Sequence, residues 1–171
     1  YSTLYLQVAQ SLFEDRTAAA GLATPTSATT GFGTALADLD LDGDLDLVIA
    51  NGRVRRHAQT MPAQHDSENF WQAYAERNQI FLNAGNATFA ELAADDPFLI
   101  QPRVSRGLAV GDIDNDGDLD LVTSEVNGSA RIFLNFAERK GSWLMVRAMD
   151  PRYGGRDAYG ATVTVTAGKH Q

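Results

Sequence analysis

The sequence contains no cysteine, which removes disulfides and thiolate metal sites together, so any staple in this chain must be another kind of bond. Basic residues are also scarce. Fourteen Lys and Arg stand against 22 Asp and Glu, a formal net charge of −8. An excess of that sign repels both a phosphate backbone and an anionic bilayer, so neither nucleic acid nor a membrane surface is expected as a partner. No apolar run reaches the length of a membrane span, and Tyr1-Ser-Thr-Leu-Tyr-Leu-Gln-Val8 lacks the basic start and cleavage site of a signal peptide. Helical periodicity is largely missing. Material for catalysis is thin as well: there is no Gly-x-Ser-x-Gly elbow, no glycine-rich phosphate cradle, and only three histidines, His57, His65 and His170.

What the chain does have is carboxylates in a pattern. Asp38-Leu-Asp-Leu-Asp-Gly-Asp-Leu-Asp46 is repeated as Asp112-Ile-Asp-Asn-Asp-Gly-Asp-Leu-Asp120. Alternate residues of a tightly curled loop point inward. Asp38, Asp40 and Asp42 therefore fall at ligand positions one, three and five, with the Asp44 carbonyl at seven and Asp46 at nine. The second copy offers Asp112, Asp114, Asp116, the Asp118 carbonyl and Asp120. Gly43 and Gly117, at position six, allow the positive φ of a sharp turn. Carboxylates this dense repel one another unless a hard cation sits among them, and an all-oxygen donor set suits Ca2+ better than Mg2+ or Zn2+. Two calcium sites are the expectation; the plainer alternative is a solvated acidic hairpin. An EF-hand is excluded, because its twelfth-position Glu is replaced by Ile49 and Thr123 inside strand-like runs.

The loops belong to a larger repeat. Gly33-Thr-Ala-Leu-Ala-Asp38 aligns with Gly107-Leu-Ala-Val-Gly-Asp112 at an offset of 74, and Ile80-Phe-Leu-Asn83 aligns with Ile132-Phe-Leu-Asn135 at an offset of 52. The difference of 22 is an insertion in the first copy, at about 52–77. Phe13-Glu-Asp15 echoes Phe89-Ala-Glu91. Short β-branched or aromatic runs at 45–50, 79–82, 130–134, 143–146 and 161–166 read as strands. A short helix is expected over 68–77, with Phe70, Trp71 and Tyr74 along one side. Arg53-Val-Arg-Arg-His57 reads as a solvated basic loop. His57, His65 and Glu68, up to Arg77, would carry the alternative function, a hydrolase or oxidoreductase centre in the insertion. Asn86-Ala-Thr88 and Asn127-Gly-Ser129 make Asn86 and Asn127 candidate glycosylation acceptors.

Phe32-Gly33, followed by Asp38 to Asp46 and Leu47-Val48, resembles the FG-GAP or VCBS-type repeat of integrin-alpha-like β-propellers. Phe13-Glu-Asp-Arg-Thr-Ala-Ala-Ala-Gly-Leu22, Arg77-Asn-Gln-Ile-Phe-Leu-Asn83 and Ser142-Trp-Leu-Met-Val146 are similar to segments of extracellular proteins that end in an ASPIC/UnbV domain, and Arg156-Asp-Ala-Tyr-Gly-Ala-Thr-Val-Thr-Val165 resembles the start of that domain. The resemblance implies an all-β fold of about two propeller-type blades, an incomplete propeller, with calcium loops between strands. It divides the chain into a repeat region, 1–140, and an ASPIC/UnbV-like β segment, 141–171. It also implies a secreted or cell-surface, non-enzymatic module with a protein or glycan partner. Two repeat units cannot close a propeller. Strand addition between copies into a homo-polymeric filament and ordinary edge termini both remain open.

Overall fold

The computed structural model describes residues 2–55, 70–93 and 95–166, and nine of its eleven strands follow the repeat. Strands β1 (Tyr5–Ala9) and β2 (Leu12–Asp15) form an antiparallel hairpin, and helix α1 (Ala23–Thr26) leads into a four-stranded antiparallel sheet. That sheet is an up-and-down meander of β3 (Gly31–Ala37), β4 (Asp46–Asn51), β5 (Gln79–Asn83) and β6 (Phe89–Glu91). Helix α2 (Pro97–Ile100) then hands the chain to a three-stranded sheet of β7 (Ser105–Gly111), β8 (Asp120–Glu125) and β9 (Arg131–Phe133). The two acidic runs are the β3–β4 and β7–β8 turns. Both sheets are open and close no barrel, as expected of an incomplete propeller. The β3–β4 and β7–β8 ladders also carry a register shift at matching places, Gly31/Gly33 and Ser105/Leu108.

Side-chain alternation explains where the core lies. Leu47 and Ile49 of β4 point to one face and pack with Phe81, Phe89, Ala20 and Leu22, while Val48 points to the other and packs with Ile80, Ala37 and Leu121. With both faces covered, every residue of β4 is buried, so the strand reads as a continuous apolar run rather than an alternation. The face carrying Val48 meets the second sheet through Leu108, Val110 and Phe133, and Phe98 of α2 closes the junction edge-on to Phe133 at a centroid distance of 5.2 Å. The sheets approach so closely that a Cβ on Gly33 would stand 2.5 Å from Leu108 Cβ and 2.7 Å from Leu108 N. Only glycine fits there.

The insertion leaves and rejoins the first sheet through a tied stem. Arg53 N donates to Tyr74 O at 2.8 Å, Arg53 Nε donates to Glu76 Oε1 at 2.8 Å, and Asn51 N donates to Asn78 Oδ1 at 2.8 Å. Glu76 is buried and also forms a β-bridge to Arg103.

Three expectations change. The helix over 68–77 is, in its described part, one 3-10 turn at Trp71–Tyr74, and Ala75 is already extended at ψ 138°. Its aromatic residues attract one another, with Phe70 edge-on to Trp71 at 5.0 Å, so they form a local cluster and supply no long helical stripe. Residues 143–146 and 161–166 form no strand, because β propensity needs an adjacent edge to pair with, and neither run has one. Among its described residues, the 141–171 segment accordingly contributes the two-residue strands β10 (Met149–Asp150) and β11 (Arg156–Asp157), on either side of a 3-10 turn at Pro151–Tyr153.

Candidate metal centre

Each acidic loop is folded by its own carboxylates. Asp38 accepts from the N–H groups of Asp42 at 3.1 Å and Gly43 at 3.0 Å, and Asp42 Oδ1 accepts from Asp44 N at 2.9 Å. The second loop repeats this bond for bond: Asp112 accepts from Asp116 and Gly117, both at 3.1 Å, and Asp116 Oδ1 accepts from Asp118 N at 3.0 Å. Positive φ falls at the fourth and sixth positions of both loops, Leu41 at 58° and Gly43 at 93°, Asn115 at 62° and Gly117 at 94°. Glycine and asparagine adopt that region readily; leucine does so at a cost.

The curled turns bring three carboxylates together twice. Ligand-capable oxygens of Asp38, Asp40 and Asp42 lie within 4.8 Å of one another, as do those of Asp112, Asp114 and Asp116. Each set could hold a metal ion. Asp44 stays on the exposed rim of its loop, whereas Asp118 is buried. Asp46 and Asp120 stand outside the trios at the loop feet, each accepting one loop N–H and one N–H from the asparagine at or just past the end of β5 or β9. Asp46 Oδ2 accepts from Leu39 N at 3.0 Å and Oδ1 from Asn83 N at 2.8 Å; Asp120 Oδ2 accepts from Ile113 N at 2.7 Å and Oδ1 from Asn135 N at 2.9 Å.

The electrostatics match this division. Burial pushes the Asp46 carboxyl up, against the pull of the Asn83 and Leu39 N–H groups. The Asp44 N–H and then Lys140 hold Asp42 down. Desolvation, with Asp116 and Asp120 nearby, raises Asp114. Two buried carboxylate oxygens, Asp40 Oδ1 and Asp118 Oδ1, have no hydrogen-bond partner, although their residues are only 6% and 3% exposed. A buried carboxylate oxygen without a donor is costly unless a cation meets it. Hard oxygen donors, with no nitrogen or sulfur among them, fit a divalent ion of the calcium type.

Three contributors to the site lie outside the acidic loops. Asn83 and Asn135 end the two aligned Ile-Phe-Leu-Asn runs, so their equivalence could be seen, but not their donation to Asp46 and Asp120. The third is the basic pair Arg139 and Lys140, which reaches the loops from a distant segment. Asn86 and Asn127 occupy exposed turn positions with φ of 54° and 58°. His57, His65, Glu68 and His170 lie outside the described residues, and Arg77 contributes a backbone carbonyl to Asn51 Nδ2 at 2.9 Å.

Compared with known proteins, residues 66–123 match the FG-GAP-like repeat family, a stretch that includes β5, β6, β7 and the whole second acidic loop. The chain is 38% identical over 64 residues to cartilage acidic protein 1 of Mus musculus, covering 35% of this chain and 9% of that protein. It therefore spans less than a tenth of that relative's length. No helix among the described residues is long and apolar enough to cross a membrane.

Proposed function

We propose that this chain is a calcium-binding repeat module of an extracellular protein, acting in adhesion or recognition rather than catalysis. The observation that carries the reading is the double one: two loops 74 residues apart in sequence build the same carboxylate trio, and each loop holds a buried carboxylate oxygen without a donor. Asp38, Asp40 and Asp42 would hold one ion, and Asp112, Asp114 and Asp116 the other. Carbonyls of Asp44 and Asp118, and the carboxylates of Asp46 and Asp120, are the further oxygens each loop offers. The ion would supply positive charge that lets the turn stay tightly curled, and so fix the β3–β4 and β7–β8 connections. The similarity to an FG-GAP-like repeat and to cartilage acidic protein 1 supports an extracellular setting with a protein or glycan partner, where millimolar calcium would fill sites of about 0.1 to 1 mM affinity.

The test is thermal unfolding in calcium and in chelator. With free calcium about a hundredfold above Kd, each site contributes roughly 2.7 kcal/mol. A domain of this size shifts by about 2–4 °C per kcal/mol, so two sites raise Tm by about 10–20 °C. An unchanged Tm in EDTA would refute the reading.

Residues 141–171 are taken as the start of an ASPIC/UnbV-like segment on the sequence pattern at 156–165. Strand addition between copies has one observation in its favour: among the described residues, β9 has no neighbour on its outer edge, where β5 has β6. Sedimentation with and without calcium tests it, and a monomer under both conditions would exclude the filament.

A further inference from the structure

Residues 135–143 lie across both acidic loops. Asn135 starts the crossing: its N–H bonds Asp120 of the second loop, and its side-chain amide donates to Leu39 O of the first at 2.7 Å. Four residues on, Arg139 Nε donates to Asp118 Oδ2 at 2.8 Å and Arg139 Nη2 to Asp116 Oδ2 at 2.7 Å. The very next residue turns to the other loop. Lys140 Nζ stands 2.5 Å from Asp40 Oδ2 and 3.2 Å from Asp42 Oδ2, and Lys140 N donates to Asp40 O at 2.7 Å. Gly141 and Trp143 then press on Leu41 O and on the main chain of Gly117, so closely that neither glycine could carry a Cβ.

Two adjacent cations therefore go to two different loops, and each takes carboxylates from the trio that an ion would use: Asp40 and Asp42 in one, Asp116 in the other. We propose that this segment is a built-in competitor for the metal sites, in which Lys140 and Arg139 neutralise the loops of the ion-free protein and a divalent ion displaces each side chain while the strap's backbone bonds hold. The proposal rests on the calcium reading above. Its physical basis is an exchange of like for like. The side chains are 54% and 42% exposed, so each ion pair is weak and leaves cheaply, whereas an ion gathers several oxygens at once. Without the strap, chelation would leave the loop carboxylates facing one another with no positive charge. With it, calcium loading is set to a higher threshold, and the ion-free fold loses less when calcium is withdrawn.

The experiment is calcium titration of the purified chain by calorimetry, for wild type, Lys140→Gln, Arg139→Gln and Lys140→Arg. Losing a half-exposed competing ion pair should tighten calcium binding about two- to fivefold at the loop that the altered residue touches. Lys140→Arg should keep the wild-type affinity. Trp143 lies on Gly117 and so reports most directly on the second loop: terbium emission sensitised through it should shift to lower concentration more with Arg139→Gln than with Lys140→Gln. Acylation of the Lys140 amine in the wild type, followed by mass spectrometry, gives a measure that needs no variant and no movement of the strap's backbone. Calcium should raise its reactivity as Lys140 Nζ leaves Asp40 and Asp42; lower or unchanged reactivity at saturating calcium would mean a plain structural brace and overturn the proposal. Gln variants that bind calcium no more tightly than a calcium-binding wild type would overturn it too, leaving the calcium reading intact. Failure of every form to bind calcium or terbium would overturn both.

Discussion

Replacing Asp46 by Asn separates a hydrogen-bonding role from a ligand role. Asp46 is 0% exposed, and its two oxygens take one N–H from Leu39 and one from Asn83. Asparagine has the same shape but only one acceptor oxygen. Whichever way its amide turns, one of those backbone N–H groups loses a bond to a charged acceptor, worth about 1.5–3 kcal/mol, and faces another donor in a buried place, which costs about 1–3 kcal/mol. The two terms overlap, so the expected loss is about 2–4 kcal/mol, a large part of the 5–15 kcal/mol typical of a domain. With a urea m-value of about 2 kcal/mol/M, the unfolding midpoint falls by about 1–2 M. The decisive condition is EDTA, where no ion contributes. Asp46→Asn should cost this amount there, Asp120→Asn should match it, and Asp44→Asn on the exposed rim should stay within about 0.5 kcal/mol. A loss below about 0.5 kcal/mol in EDTA, or one seen only in calcium, would mean that Asp46 acts as a ligand alone and that the loop-foot reasoning is wrong.

Gly33→Ala should destabilise by roughly 1–3 kcal/mol or more, since its Cβ would meet Leu108 Cβ and backbone across the sheet junction. Gly107→Ala, its partner in the repeat, meets chiefly one side-chain atom, Ser124 Oγ at 2.7 Å, which can rotate away at the loss of its bond from Gly107 N, and should cost clearly less; equal losses by urea unfolding would refute the junction argument. Leu41→Asn should raise stability by about 0.5–1 kcal/mol, because asparagine tolerates the φ of 58° that leucine holds under strain. A lower melting temperature for Leu41→Asn would show that the Leu41 side chain contributes more than its backbone costs.

Much of this architecture could be read from the chain because its signals are local. The Asp loops, the glycines at position six, and β4 and β8 each declare themselves within nine residues, and repetition at offsets of 74 and 52 marks which strands flank each loop. Reading failed where identity and context part company. The aromatic residues 70, 71 and 74 suggested a helical stripe but attract one another in a single turn, and the apolar runs at 143–146 and 161–166 have strand composition without a neighbouring edge. The ninth-position aspartates look in sequence like any other ligand of the loop; geometry adds that each also accepts two backbone N–H bonds. Lys140 meets Asp42 across a separation of 98 residues, and no spacing rule in the acidic loops points to it.

The tied stem between β4 and β5 has a consequence for what this repeat tolerates. Its connection spans residues 52–78, against 126–130 between β8 and β9, yet the strands on either side of both keep the same pairing. By the chain-entropy scaling for an unstructured loop, closing 27 residues rather than five costs only about 1.5 kcal/mol more. The Arg53–Tyr74 and Arg53–Glu76 contacts bring the two ends of the longer connection together before the intervening residues matter. This corner of the sheet is thus a graft point: foreign segments of varied length and chemistry can be carried there at nearly constant cost, and a surface can diversify while its frame is inherited unchanged.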